Sequence, residues 1–484
     1  MLSKLDSILN TIDSWVWGIP LIVLILTTGV ILTIRTSGIQ FKKLARALKS
    51  IMHKSDSATG EVSSFGALCT ALSATIGTGN IVGVATAIAA GGPGALFWMW
   101  LAALLGMATK YAECMLAVKY REVKPDGHIL GGPFYTIEKG LGPKFIWLAK
   151  LFAVFAVMAG LLGIGTMTQV NGITSAVNNA FDPDNLHTVS IFGQAVSWSV
   201  VIAGLLVTAA AALVIIGGLR RISKVAQVVV PFMAALYVVL GVFVLLFNFG
   251  SIDDAFQEIF RSAFGARAAA GGALGAMIAA MQKGVARGIF SNEAGLGSAP
   301  IAASAAQTEE PVAQGLVSMT GTFIDTIIIC TITGLAIVIA GEGLWSQYSG
   351  VELSTKAFQQ LYCGMFAGGA PMLSNVIKFA IMISLVFFAF TTILGWDYYS
   401  ERCLEYLCHG NMKIVTGYRW LYIIAVFIGP YMTLNMVWTI ADITNALMAL
   451  PNIVSLIALS GVTAKMTKDY FDRYPKLDAI EDIA

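Results

Sequence analysis

The four residues Gly77-Thr78-Gly79-Asn80 stand in the middle of an apolar stretch, Phe65 to Ala90, that carries no charged side chain. Two glycines in four residues weaken a helix, and Thr78 and Asn80 bring polar groups to the depth where lipid tolerates them least. Unwinding there frees main-chain N–H groups and carbonyls. The half-helix that follows turns its positive end toward an anion such as a carboxylate. The half-helix that precedes it offers carbonyls, which suit a hard cation such as Na⁺. Ser73, Thr75 and Asn80 add side-chain oxygens beside the same point. A second interruption, Lys283 to Pro300, contains Gly288-Ile289-Phe290-Ser291-Asn292-Glu293-Ala294-Gly295-Leu296-Gly297. There Phe290 can cover a small apolar side chain, while Ser291 and Asn292 supply oxygen or amide contacts. The competing reading is close packing of small residues between helices. Polar Thr-Gly-Asn in one break and Ser-Asn-Glu in the other favour a site.

The elements that must position these residues are membrane spans. Of 484 residues 57% are hydrophobic and 12% are charged, and the mean hydropathy is +0.77, far from an average soluble domain. A span needs about 20 apolar residues. Eleven segments qualify, at about 15–34, 65–90, 95–118, 147–180, 193–216, 226–249, 273–300, 312–340, 373–395, 416–435 and 438–462. The fourth is too long for one straight span, so it is tilted or includes interfacial helix. Met1 to Ser14 lacks the basic start and small-residue cleavage site of a signal peptide, so the first segment is expected to be retained. The fold class is therefore all-α and polytopic.

Lys and Arg are distributed with a 21-to-4 bias between the two sets of loops. The poor side holds only Lys4, Arg261, Arg267 and Lys356. This predicts an N-terminus outside and a C-terminus in the cytoplasm of a cell (inner) membrane. The net charge of +2 is a topology signal and does not argue for nucleic acid. The six cysteines, most of them scattered singly, read as small core residues. The four histidines, including His53 and His128, fall in loops or at segment ends, with no metal-ligand spacing. No nucleophile elbow and no Walker A lysine motif is present, so an enzyme and an ATP-driven pump lose support.

Leaving the first span aside, five segments fall between Phe65 and Phe249 and five more between Ala273 and Val462. Each set opens with the segment that carries a glycine break. Because five is odd, the second set enters from the opposite face, as in an inverted repeat. The expected divisions are 1–64, the extra span and a basic loop; 65–250, the first five-helix unit; 273–462, the second; and 463–484, a cytoplasmic tail.

Several charges lie at membrane depth. Lys110 and Glu113 are three apart on one helical face and can pair. Arg287 and Glu293 flank the second break and could link it to a neighbouring helix. Asp325 could serve as a proton-linked carboxylate, a cation ligand or a partner for a basic group. Asp397 and Asp442 are expected at segment ends as solvated or capping residues.

Gly91-Gly92-Pro93-Gly94-Ala95-Leu96-Phe97-Trp98-Met99-Trp100-Leu101, together with Ile76 to Ile81, Gly288 to Ala299 and Gly131-Gly132-Pro133-Phe134-Tyr135, resembles the alanine/glycine:cation symporter family. The resemblance spans nearly the whole chain. It implies a leucine-transporter-like fold within the amino acid–polyamine–organocation superfamily. It also implies Na⁺- or H⁺-coupled uptake of alanine, glycine or a similarly small amino acid. Carried onto this sequence, Thr78 and Gly79 would meet the substrate carboxylate. Gln169 and Asn171 match a polar pair of which one faces the substrate, since residues two apart on a helix diverge by about 200°. Phe290 and Trp396 would line the cavity and exclude larger side chains by clash. One Na⁺ would sit between carbonyls near Ser73 and Ile76 and the hydroxyls of Thr391 and Thr392, with a second position near Thr75, Asn80 and Ser291. The competing reading of the threonines is hydrogen bonding to their own helix backbone.

The expected function is Na⁺-coupled symport by alternating access. Proton coupling, exchange and a non-transporting amino-acid sensor stand as alternatives. A sensor would be expected to carry a signalling domain, for which the 22 residues after Val462 are too few. A channel would also use broken helices, but paired breaks around a small occluded pocket favour alternating access. The bilayer and the amino acid are the expected partners, with no obligate protein partner evident.

Overall fold

A computed structural model describes residues 2–51, 60–191, 194–265, 272–364 and 371–475. His53, Lys54, Arg267, Lys476 and the remainder of the expected tail lie outside the described residues. The described chain is helical apart from connections and two short antiparallel hairpins, Glu122–Val123 with Ile129–Leu130 and Thr188–Ile191 with Gln194–Ser197. Nine of its helices are long and apolar enough to cross a membrane, or ten if the bent pair Ser64–Thr75 and Gly79–Gly91 is one span. The expected segment at 273–300 is not among them, so the length and composition of helices do not reach eleven. Its helix, Ala273–Asn292, carries Lys283 and Arg287.

Burial is arranged for lipid. The span Gly94–Tyr120 runs through the centre, with 83% of its apolar window buried, whereas Arg221–Phe247 lies at the edge with 28%. The outer helices turn Leu206, Val239 and Leu246 outward. Large apolar side chains exposed in rows are costly in water and neutral in hydrocarbon. The protein is a multi-pass membrane protein.

Local chemistry shapes the central hairpin. The Ser63 side chain accepts from Gly66 N at 3.0 Å and starts the first half of the broken span. Gly92, at φ +73°, ends the second half, and Pro93 starts the next helix. The long segment 147–180, expected to be tilted or to include interfacial helix, is two helices, Ile146–Leu162 and Met167–Phe181, parted at residues 163–166. Gly163 and Gly165 permit that parting: a Cβ on Gly165 would lie 2.6 Å from the Trp396 Cβ.

Candidate functional site at the two helix breaks

The Ser64–Thr75 helix stops at Ile76, and the chain resumes as a π-helical turn, Gly79–Gly83, bent by 49° from the first half. Asn80 makes the bend. Its Oδ1 accepts from Gly77 N at 2.9 Å, which ties the unwound segment to itself. Its Nδ2 donates to Asp325 Oδ1 at 2.7 Å. In this arrangement the Asn80 amide oxygen, expected as a cation ligand, is turned to the Gly77 N–H. The Thr78 N–H donates to Gln169 Oε1 at 3.0 Å, and the other end of that amide donates to the Ile164 carbonyl at 2.8 Å. Gln169 thus joins the first break to the break at 163–166.

Asn171 faces elsewhere: its Nδ2 donates to the Met432 carbonyl at 3.1 Å. Its Oδ1, like Thr78 Oγ1, is buried with no protein hydrogen-bond partner. Such atoms in low dielectric call for a polar ligand or water.

The second break begins after Asn292, where Glu293 takes a left-handed φ of +58°. The two breaks touch: a Cβ on Gly79 would lie 3.0 Å from Ser291 Cα and 3.2 Å from Phe290 Cδ1. Asp325 braces them. It accepts from Asn80 on one side and from Ser291 Oγ at 2.8 Å on the other, with Thr326 Oγ1 at 2.7 Å. The carboxylate sits in a second π-helical segment, Phe323–Cys330, a deformation often found where function needs a re-aimed side chain. No basic group pairs with Asp325 among the described residues.

Trp396 donates from Nε1 to Glu293 Oε1 at 2.6 Å, and Ser298 Oγ donates to Oε2 at 2.5 Å. The indole is therefore locked to the second break. Phe290 packs on Trp438 with ring centroids 4.6 Å apart.

The residues expected to hold a cation divide. Thr392 Oγ1 lies 3.3 Å from the Ile76 carbonyl and 3.1 Å from the Phe388 carbonyl. Thr391 Oγ1 lies 3.1 Å from the Phe387 carbonyl, 3.0 Å from the Phe388 carbonyl and 3.5 Å from Met233 Sδ. Ser73 is buried, with its hydroxyl donating to the Thr70 carbonyl at 2.8 Å. The Thr392 hydroxyl thus meets the carbonyl that is freed where the Ser64–Thr75 helix ends. Among the described residues there is no cluster of three or more His, Cys, Asp or Glu side chains able to hold a metal ion.

Charged contacts lie near the breaks. Arg287 grips Asp442 with both Nη atoms, at 2.8 and 2.6 Å, and lies 4.4 Å over the Trp438 ring. Asp442, expected at a segment end, is thus a buried ion-pair partner. Asp397 is fully buried too, with neither carboxyl oxygen hydrogen-bonded. The expected pairing of Lys110 with Glu113 does not form: Lys110 Nζ has no hydrogen-bond partner, and Glu113 accepts from Asn452 Nδ2 at 2.6 Å. At the other end of the bent span, Arg402 lies 2.8 Å from Glu405 and 3.6 Å from Glu61, and His128 Nε2 is 2.6 Å from Glu405. In the adjoining hairpin burial raises the Glu122 carboxyl, but donation by Lys124, Tyr135 and Lys139 outweighs it and holds the group down to about 2.

Lysine cannot reproduce a forked, ring-stacked guanidinium. Arg287→Lys is therefore expected to lower uptake by about tenfold, equivalent to ~1.4 kcal/mol, with little change in substrate KM. Initial-rate uptake at several substrate concentrations checks this.

Trp438 is a site residue without a motif of its own in the sequence, its one signal being that Trp438 and Asp442 are four residues apart and so share a helix face. The break at 163–166 had for its signal Gly163-Ile164-Gly165 inside an apolar run.

Relatives of known sequence and structure bear on the family and the fold. A transporter of Haemophilus influenzae is 51% identical over 470 residues, covering 97% of each chain. The sodium/alanine symporter AgcS of Methanococcus maripaludis is 45% identical over 472 residues, covering 96% of this chain and 97% of its own. The crystal structure of MhsT in complex with L-phenylalanine superposes with a TM-score of 0.55 at 14% identity, covering 84% of this chain and 98% of that one. That likeness establishes a leucine-transporter-like fold. The sodium:alanine symporter family model matches residues 2–481, and with relatives this similar along nearly their whole length, the chain belongs to the sodium:alanine symporter family.

Proposed function

We propose that the protein is a Na⁺-coupled symporter of small neutral amino acids, alanine and glycine, that works by alternating access. The observation that carries this reading is the meeting of two broken helices inside the helix bundle, where Thr392 Oγ1 lies 3.3 Å from the Ile76 carbonyl and Asp325 bridges Asn80 and Ser291. Na⁺ binds among oxygens of Ser73, Ile76, Thr391 and Thr392 and steadies the unwound backbone. That favours amino-acid binding, a positive coupling between two sites. The substrate carboxylate takes N–H groups at Thr78 and Gly79, the first of them released from Gln169 Oε1 on binding, with the Thr78 hydroxyl and Gln169 beside them. The ammonium takes carbonyls and a side-chain oxygen of the second break. Phe290 and Trp396 enclose the side chain and reject bulk by contact.

The units 65–250 and 273–462 act as inverted repeats. The N-terminus lies outside and the C-terminus in the cytoplasm of the inner membrane, so Arg287–Asp442 closes the outer face and Glu61–Arg402–Glu405 the inner one. Rocking of the helices that bear the breaks opens one face as the other closes.

The buried carboxylates Asp325 and Glu293 favour a second reading, in which protons drive uptake. Radiolabelled alanine uptake into proteoliposomes, with an inward Na⁺ gradient against a K⁺ control and with or without a proton gradient, separates the two. Stimulation by Na⁺ alone is expected. Stimulation by protons alone moves coupling to the carboxylates, and no uptake under any gradient overturns the proposal.

Thr392→Ala is expected to raise the Na⁺ concentration for half-maximal uptake by about tenfold, ~1.4 kcal/mol of cation affinity. Thr391→Ala is expected to change it less, because that hydroxyl is turned to Met233. Equal rises would give both hydroxyls the same share in the site, and no rise in either variant would place the ion elsewhere.

A further inference from the structure

The span Ile8–Arg35 ends at a concave, strongly basic surface. Arg35, Lys42 and Lys43 from one side and Lys465 and Lys468 from the other line a cavity of about 540 Å³, with Asp472 the single acid on its wall. Lys465 and Lys468 stand three apart on the helix Ser460–Arg473, so they project from one face. Among the described residues none of the five basic groups forms an ion pair. Lys43 Nζ rests 4.5 Å over the Phe471 ring. Five like charges held together in a cavity with one acid on its wall leave an excess that attracts an anion, and the attraction is strongest within the Debye length of about 8 Å at physiological salt.

Two further features point to the kind of anion. The cavity lies where an apolar span gives way to basic chain, the depth of the lipid head groups. Next in sequence to its lining residues Arg35 and Lys42 are two exposed large apolar side chains, Ile34 at 71% exposure and Phe41 at 64%. A free anion has no use for these, whereas a lipid has acyl chains to lay along them.

We propose that this cavity binds the phosphate head group of an anionic membrane lipid, with the phosphate among Arg35, Lys42, Lys465 and Lys468 and the acyl chains along Ile34 and Phe41. The lipid joins the first span to the Ser460–Arg473 helix. That helix packs on Gly94–Tyr120 and Pro311–Thr322, two spans at the centre of the fold. Arg46, whose Nη1 donates to the Tyr474 carbonyl at 2.8 Å, makes a protein link across the same junction.

The test uses the full chain in neutral detergent, offered equimolar phosphatidylglycerol and phosphatidylcholine with the same acyl chains, with retained lipid read by native mass spectrometry. Preferential retention of phosphatidylglycerol is expected. The combined Lys42→Gln, Lys465→Gln and Lys468→Gln variant should weaken it by about tenfold or more. Arginine at the same three positions should preserve it, which separates loss of charge from loss of fold. Lys144→Gln with Lys224→Gln, on exposed lysines elsewhere, should leave it unchanged. Equal retention of both lipids, or undiminished binding by the glutamine variant, overturns the proposal. Displacement of the lipid by excess inorganic phosphate at constant ionic strength assigns the cavity to free phosphate and overturns the lipid source.

Discussion

Asp325→Ala is expected to reduce cation-driven alanine uptake by about a hundredfold or more while the chain still reaches the membrane. Asn80 Nδ2, Ser291 Oγ and Thr326 Oγ1 all donate to this one carboxylate, at 2.7, 2.8 and 2.7 Å. Removing it takes the charged acceptor from three buried donors. Asn80 Nδ2 is left only the main-chain carbonyl of position 325 at 3.2 Å and, like Ser291 Oγ, the weak acceptor Cys330 Sγ. Each poorly paired donor costs ~1–3 kcal/mol. The loss falls on the contact between the two breaks, because Asn80 belongs to the first and Ser291 to the second. Asp325→Asn keeps the shape and one acceptor oxygen but removes the charge. If the carboxylate serves only as a brace, the asparagine variant recovers much of the uptake with unaltered Na⁺ dependence. If its charge balances the transported cation, that variant stays inactive or shifts its Na⁺ dependence. Uptake by Asp325→Ala above about half that of the parent, at matched membrane abundance, would remove Asp325 from the site.

Gly77→Ala is expected to have an effect of the same size for a different reason. An added Cβ would lie 2.5 Å from Thr392 Oγ1 and 2.9 Å from Gln169 Oε1. Neither neighbour can withdraw freely: Thr392 is on a packed helix beside the Ile76 carbonyl, and Gln169 holds both Thr78 N and the Ile164 carbonyl. The methyl group therefore forces apart three elements that meet at one point, a strain that cores resist at ~1–3 kcal/mol or more. Gly83→Ala is the matched control, since its nearest neighbour would be 3.8 Å away. It is expected to keep uptake within about twofold of the parent. Similar losses in both variants would show that helix propensity, and not the close approach at Gly77, decides the effect.

The membrane class and the positions of both breaks were legible in the residues themselves. The cost of placing a polar or glycine-rich segment in hydrocarbon is local and needs no partner to be evaluated. The same is true of the helix ends at Ser63 and at Gly92-Pro93, where capping and φ preferences act within a few residues. The break at 163–166 was hidden because Gly163 and Gly165 lie in an otherwise apolar run, where a packing glycine and an unwinding glycine look alike. The π-helical turns at Gly79–Gly83 and Phe323–Cys330 were hidden as well, since one extra residue per turn leaves hydropathy unchanged.

Tertiary structure alone decided the partners. Asp442 reads as a segment-end residue until the fold brings Arg287, 155 positions away, into a two-pronged contact with it. Lys110 and Glu113 look like a pair three residues apart, yet Asn452 from a distant helix takes the glutamate. Helical geometry says that Gln169 and Asn171 diverge, but only packing shows Gln169 on Thr78 and Asn171 on Met432. What a residue costs in lipid belongs to the residue and its neighbours in sequence. What satisfies it is whichever donor or acceptor the packed helices carry to within 3 Å, and that is a property of the whole fold.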